Sequence, residues 1–327
     1  MPRSPRLSVL KKDRANLKRA RAFSPSAISS FFEICDKETD GKPIDDLTKV
    51  GARGGGFGLQ KGVLTQVSVS EAKLNSIRVF INGKLAPEAE TTKTVVLALL
   101  DKVEQAHDVV VEHKVEVPIS SGFGTSAGGA LTAGLALKEA LALPLTRNQI
   151  GRIVHIAEIQ CATGLGTVSA LAQQGGCVLV VEPGAPGTCV IDSIPLRPEF
   201  VIVAGVFSPT SKRELFSYPE KRHEVNRWGR KTLERILAEP SIENFLACCL
   251  EFAEKTGFMT ERTRQLVRLA EEAGAVGAAQ NMVGEAVHAL AQEENAENVA
   301  EAFKQILPSE RIIKAKVDFQ GARLLAT

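Results

Sequence analysis

Along this chain the apolar positions change period repeatedly, and each change marks a predicted element. Residues 109–117 are valine-rich with partial alternation, while residues 130–141 carry Leu131, Leu135 and Leu137 among alanines. A strand is therefore expected to feed a helix, with residues 118–129 between them. Residues 62–70 and 75–81 alternate as one hairpin candidate, with an Asn82-Gly83 turn after the second strand. Residues 95–104 read as helix. Thr146-Arg147-Asn148-Gln149 has the form of a capping box, opening a helix to about residue 161 on which His155 and Glu158 are three apart and share a face. Residues 175–181 and 188–195 form a second hairpin candidate, 200–207 a further strand, 221–290 a mostly helical stretch and 311–319 a last strand. Strands and helices interleave throughout, so a mixed α+β (α/β) fold is predicted, dividing near residues 194–198.

Composition narrows the class without choosing a chemistry. At 327 residues, 44% hydrophobic and 24% charged, the chain has the profile of a soluble protein long enough for two compact domains. A net charge of +2 gives no reason to expect nucleic acid, and no apolar run reaches membrane-spanning length. The six cysteines have no C-x-x-C spacing and are not grouped with the five histidines, which argues against zinc and fits small core residues in a reducing cytoplasm. The first 21 residues differ from the rest, with eight Lys or Arg against the single Asp13. They read as a basic, flexible tail over residues 1–20, with no apolar core of a secretory signal.

The chemistry concentrates in Pro118-Ile119-Ser120-Ser121-Gly122-Phe123-Gly124-Thr125-Ser126-Ala127-Gly128-Gly129. A loop feeding a helix N-terminus presents free backbone N–H groups and the positive end of the helix dipole to an anion. Its glycines allow positive φ and a close approach, and Thr125 and Ser126 add hydroxyls for phosphate oxygens or magnesium. The same residues admit other readings. Gly122 to Ala127 fits the dinucleotide pattern G-x-G-x-x-G/A, although residues 142–148 supply no acidic partner for a ribose. Gly124-Thr125-Ser126-Ala127-Gly128 fits a nucleophile elbow, followed by Asp192 and His223 in hydrolase order, although the preceding glycines are not needed for one. A glycine turn that only packs a helix on a sheet is the third possibility. No G-x-x-x-x-G-K occurs, which excludes a Walker A loop.

The run P-x-x-x-G-x-G-T-S-A resembles the central phosphate-binding motif of the GHMP kinase superfamily. Ala22-Phe23-Ser24-Pro25-Ser26-Ala27-Ile28-Ser29-Ser30-Phe31-Phe32 resembles its first motif, and Gly277-Ala278-Ala279-Gln280-Asn281-Met282-Val283-Gly284 its third, a glycine-containing turn into a helix. Phe31-Phe32-Glu33-Ile34, Gly51-Ala52-Arg53-Gly54-Gly55-Gly56-Phe57, Gly164-Leu165-Gly166-Thr167-Val168 and Glu182-Pro183-Gly184-Ala185-Pro186-Gly187 are similar, within that superfamily, to the archaeal pantoate kinases. The resemblance runs over about residues 20–325. It implies a two-domain fold: a ribosomal-protein-S5-like ATP-binding domain over residues 21–195 and a ferredoxin-like domain over 196–327. It also implies ATP-dependent phosphorylation of the hydroxymethyl group of pantoate, in archaeal coenzyme A biosynthesis. Mevalonate or homoserine kinases of the same superfamily, and a non-catalytic nucleotide or metabolite sensor, are the alternatives.

The resemblance also distributes roles. Pro118, Gly122, Gly124, Thr125, Ser126, Ala127 and Gly128 are expected to bind ATP, with Ser126 and Glu158 holding magnesium; alone, Glu158 reads as a solvent-facing helix glutamate. Ser26, Ser29 and His155 are expected to touch the acceptor. Thr167 stands where many relatives have a catalytic aspartate, which leaves the general base unfilled. No basic residue occurs in 175–196, where a carboxylate-holding arginine is expected, so Arg53 is the substitute, a guanidinium being able to grip a carboxylate twice. Small-molecule substrates, no nucleic acid or membrane partner, and a cytoplasmic homodimer complete the expectation.

Overall fold

The structure, a computed structural model, describes residues 17–208 and 219–326. Most of the expected basic tail lies outside the described residues, but Lys18 already opens the first strand. Two long strands, β1 (Lys18–Cys35) and β2 (Gly51–Glu71), pair antiparallel over nearly their whole length, with register shifts after Pro25 and Ser29 that curve the ribbon. The remaining strands of the first sheet are β3 (Ser76–Ile81), β4 (Lys84–Leu85), β5 (His107–Val115), β6 (Cys177–Glu182), β7 (Val190–Ile194) and β12 (Arg323–Leu325). Its main path is β12-β1-β2-β5-β3-β4, with β6 and β7 continuing from the glycine-rich start of β2. The second sheet is antiparallel, in the order β11 (Ile312–Lys316), β8 (Phe200–Ser208), β10 (Glu285–Gln292), β9 (Gly277–Gln280). The mixed α+β architecture is thus as the sequence predicts.

Two expectations fail. The hairpin of residues 62–70 with 75–81 does not form, because β5 lies between them and β3 pairs with β5 in parallel. Parallel neighbours need a crossover, which helix α1 (Glu90–Leu100) supplies; Asn82-Gly83 instead closes the short β3–β4 hairpin. The end of the predicted helical stretch, including the third motif's turn into a helix, is the hairpin of β9 and β10. Residues 286–291 are buried on both strand faces, and a short apolar run of that kind carries no period that separates strand from helix.

Helices α2 (Thr125–Ala140), α3 (Arg147–Gln160) and α4 (Thr167–Gln173) cover the first sheet with α1, through valines, leucines and alanines. The capping box forms: Thr146 accepts from the Gln149 N–H, and Gln149 accepts from the Thr146 N–H at 2.8 Å. Helices α5 (Pro219–Ala238) and α6 (Ile242–Lys255) share a core with both sheets, and α7 (Glu261–Glu272) and α8 (Ala296–Lys304) cover the second sheet.

A shared aromatic core welds the halves together. Phe31 and Phe57 meet Phe245 edge-on, with ring centroids 6.2 and 5.5 Å apart. Helix α5 lies along β1, and Asn226 bonds both the N–H and the C=O of Ile34, acting in place of a strand edge. Ser30 on β1 and Asn281 bracket the wholly buried His288 of β10 at 3.0 and 2.8 Å, and burial pushes that imidazole down to about 3. Finally β12 returns the C-terminus to β1.

Candidate active site

The loop after β5 enters α2 through Gly124, which takes the left-handed conformation at φ 61°. Among the described residues no side chain caps this helix at Gly124 and its first turn has no acidic residue, so the first N–H groups and the positive helix end are open to an anion. The loop is braced from both halves. The Ala27 N–H bonds Phe123 C=O at 2.9 Å, and Asn281 stands against Gly122. Gly128 turns toward Ser24 on β1, where a Cβ would lie 3.3 Å from its hydroxyl, and Gly129 turns toward His113. These two glycines therefore pack the helix on the sheet, while Gly122 and Gly124 shape the loop.

Helix α3 brings Glu158 beneath this turn. Its side chain is not solvent-facing: the residue is 2% exposed. The Ser126 hydroxyl donates to Oε1 at 2.7 Å, and the Thr163 hydroxyl donates to the same oxygen at 2.8 Å. Oε2 occupies the space beside Gly164, where a Cβ would come within 2.2 Å. Among the described residues no Lys or Arg pairs with Glu158. A carboxylate this buried and without a cation is costly unless a ligand brings one, so the donor set fits a hard divalent ion sharing a carboxylate, a hydroxyl and phosphate oxygens. No cluster of three or more His, Cys, Asp or Glu suited to a metal occurs among the described residues, which leaves most positions of such an ion to substrate and water.

Beside the loop opens a cavity of about 630 Å³. Its walls are largely apolar, from residues such as Ile28, Ile44, Leu47 and Leu165; its polar side chains include Ser29, Thr163 and Thr167, and among the described residues its ionisable ones are Asp36, Arg53 and Arg222. Thr167 touches the phosphate loop, its methyl 2.9 Å from where a Gly124 Cβ would stand, so the cavity meets the loop at that residue.

The predicted acceptor residues separate here. Ser29 lines the cavity, but Ser26 is buried with its hydroxyl bonded to Lys61 C=O at 2.7 Å. His155 is buried as well and does not line the cavity. Its Nε2–H donates to Val50 C=O at 2.8 Å, and burial lowers its pKa. Val50 and Leu47 themselves line the cavity, so His155 fixes a wall rather than touching its contents. Arg53 lines the cavity but has protein partners: Nε donates to Val181 C=O at 3.1 Å, and its other nitrogens reach Glu33 and Glu182, each at 3.3 Å. Thr163, Gly164, Asp36 and Arg222 are the residues that sequence reasoning did not single out for roles. Gly164 falls within a quoted motif, but nothing in local sequence marks Asp36 or Arg222.

Residues 90–175 match the family model for the GHMP kinases N terminal domain, which spans α1, the phosphate loop, Glu158 and Thr167. The chain is 32% identical to the pantoate kinase of Thermococcus kodakarensis, over 88% of this chain and 91% of that one. It is 28% identical to the pantoate kinase of Methanocaldococcus jannaschii, over 86% of this chain and 96% of that one. A solved structure described as a phosphotransferase related to the CoA biosynthesis pathway superposes with a TM-score of 0.82 at 28% identity, covering 94% of this chain and 98% of its own.

Proposed function

We propose how this site transfers a phosphoryl group, on the premise that the chain belongs to the pantoate kinase family of the GHMP kinases. It is an ATP-dependent kinase that phosphorylates pantoate in coenzyme A biosynthesis. The observation that carries the reading is the Ser126–Glu158 pair, set under an uncapped helix N-terminus and opening at Thr167 on an apolar cavity.

In this reading the loop from Pro118 to Gly128 cradles the ATP phosphates: Gly122, Gly124 and Thr125 offer backbone and hydroxyl donors, and Ala127 and Gly128 seat the helix. Ser126 and Glu158 hold magnesium, which supplies neutralisation of phosphate charge. Pantoate carries a carboxylate, two hydroxyls and a geminal dimethyl carbon, and the mixed apolar and polar cavity suits that combination. Ser29 and Thr167, which line the cavity, would orient its hydroxyls, with Arg53 and His155 shaping the walls and Ser26 left to a structural bond. Because the transition state of phosphoryl transfer is loose, positioning and charge neutralisation matter more than early proton removal, which makes Thr167 in place of an aspartate compatible with turnover.

The test is ADP release by the purified protein with ATP and magnesium, comparing pantoate, mevalonate, homoserine and no acceptor. Turnover with pantoate alone is expected. Turnover with another acceptor would replace the substrate, and binding of ATP and pantoate without turnover would favour the sensor reading that Thr167 motivates. No helix among the described residues is long and apolar enough to cross a membrane.

A further inference from the structure

Among the described residues that line this cavity, the cations available to an acceptor carboxylate are Arg53 and Arg222, and the remaining ionisable side chain is Asp36. The two arginines differ in what they must give up. Arg53 bonds Glu33, Glu182 and a backbone carbonyl; Glu33 has a side chain only 3% exposed and is itself shared with Arg230. Pulling Arg53 away would strip charge compensation from a buried carboxylate, which is expensive. Arg222, from the first turns of α5, pairs among the described residues with Asp36 alone. The Asp36 side chain is 31% exposed, so it can turn to water when displaced, and ion pairs of that kind contribute little.

Position agrees with this difference. Gly166 packs on Ala52, where a Cβ would lie 3.2 Å away, and Ala52 pairs with Ile34 of β1, two residues before Asp36. The Asp36 end of the cavity is thus tied to the Thr167 end through β1 and β2, while Arg222 reaches the same cavity from α5.

Resting on the kinase reading above, we propose that Arg222 is the residue that selects a carboxylate in the acceptor, with Asp36 as the resident anion that the substrate displaces. The consequence is a substrate that bridges the two halves, its carboxylate on α5 and its hydroxyl at the phosphate loop.

The experiment is calorimetric binding of pantoate and of its neutral primary amide to the full chain, with ATP affinity as the control for folding. Wild-type protein should prefer pantoate by about thirtyfold or more, the scale of a lost charge-assisted hydrogen-bond pair. In Arg222→Ala that preference should fall below about threefold, with Arg222→Lys retaining part of it and ATP affinity unchanged. Asp36→Asn should bind pantoate several-fold more tightly, which a merely structural pair would not produce, because a competing anion has been removed. If wild-type protein binds pantoate but Arg222→Ala keeps the preference, or Arg53→Ala alone abolishes it, the assignment of Arg222 is overturned and the kinase reading stands. If wild-type protein does not bind pantoate, both fall.

Discussion

The proposed donor side and the proposed acceptor side of this site are built in different ways. The donor side is nearly continuous in sequence: one strand, one loop, one helix turn and a single carboxylate from the next helix, joined by a 2.7 Å hydrogen bond. The acceptor side is assembled from β1, β2, the residue 162–167 loop, α5 and the turn at Met282, which are far apart along the chain. A local arrangement of this kind fixes reaction type, because phosphates need only N–H groups, hydroxyls and charge. A dispersed one fixes which acceptor enters, and can be retuned by single residues on separate elements.

Substitutions on the donor side should break turnover and leave the acceptor side intact. Glu158→Gln and Ser126→Ala should each lower kcat by at least about a hundredfold, as expected for lost charge stabilisation, with pantoate affinity changed little. Near-native kcat in either variant would remove the donor assignment. Gly164→Ala tests the seam between the sides: its Cβ would drive against Glu158 Oε2, and kcat should fall about tenfold through misplacement of the carboxylate. An unchanged rate would mean that the loop yields without moving Glu158.

On the acceptor side, Arg53→Ala should register in stability more than in chemistry. It leaves the buried Glu33 with Arg230 as its remaining cation, and a loss of about 1 to 2 kcal/mol in denaturant unfolding is expected. A smaller expected effect comes from the cores behind each side. Burial lowers His113 to about 4 and His288 to about 3, both below the ordinary 6.5. The unfolded chain therefore takes up protons first, so stability falls as pH drops below about 6.5 and continues to fall toward 4 and 3. Between pH 7 and pH 6 the two together should cost about 1 kcal/mol in unfolding free energy. A flat profile over that interval would show that neither imidazole is held neutral.

The same contrast explains what could be read from sequence. The strand-loop-helix of residues 107–140, the capping box at Thr146 and the 177–194 hairpin were all legible, because each is specified by neighbours within a few residues. The insertion of β5 between β2 and β3 was not, since parallel pairing through a crossover leaves no local signature. Glu158 was found as a motif position, but its burial under Ser126 and Thr163 depends on how α2 and α3 pack. His155 and Ser26 lie on the right elements yet point at Val50 and Lys61 carbonyls, a matter of side-chain direction that spacing does not settle. Arg222 and Asp36 are 186 residues apart and meet only because α5 lies along β1.

If the Ser126–Glu158 side delivers a phosphoryl group to an acceptor held beside Thr167, the product is a phosphomonoester. Phosphorus NMR of the purified protein with ATP, magnesium and pantoate would detect it. A new phosphomonoester signal should grow in step with ADP and be absent without pantoate. ATP and pantoate that both bind, with no phosphomonoester formed, would show that the Ser126–Glu158 site does not transfer a phosphoryl group.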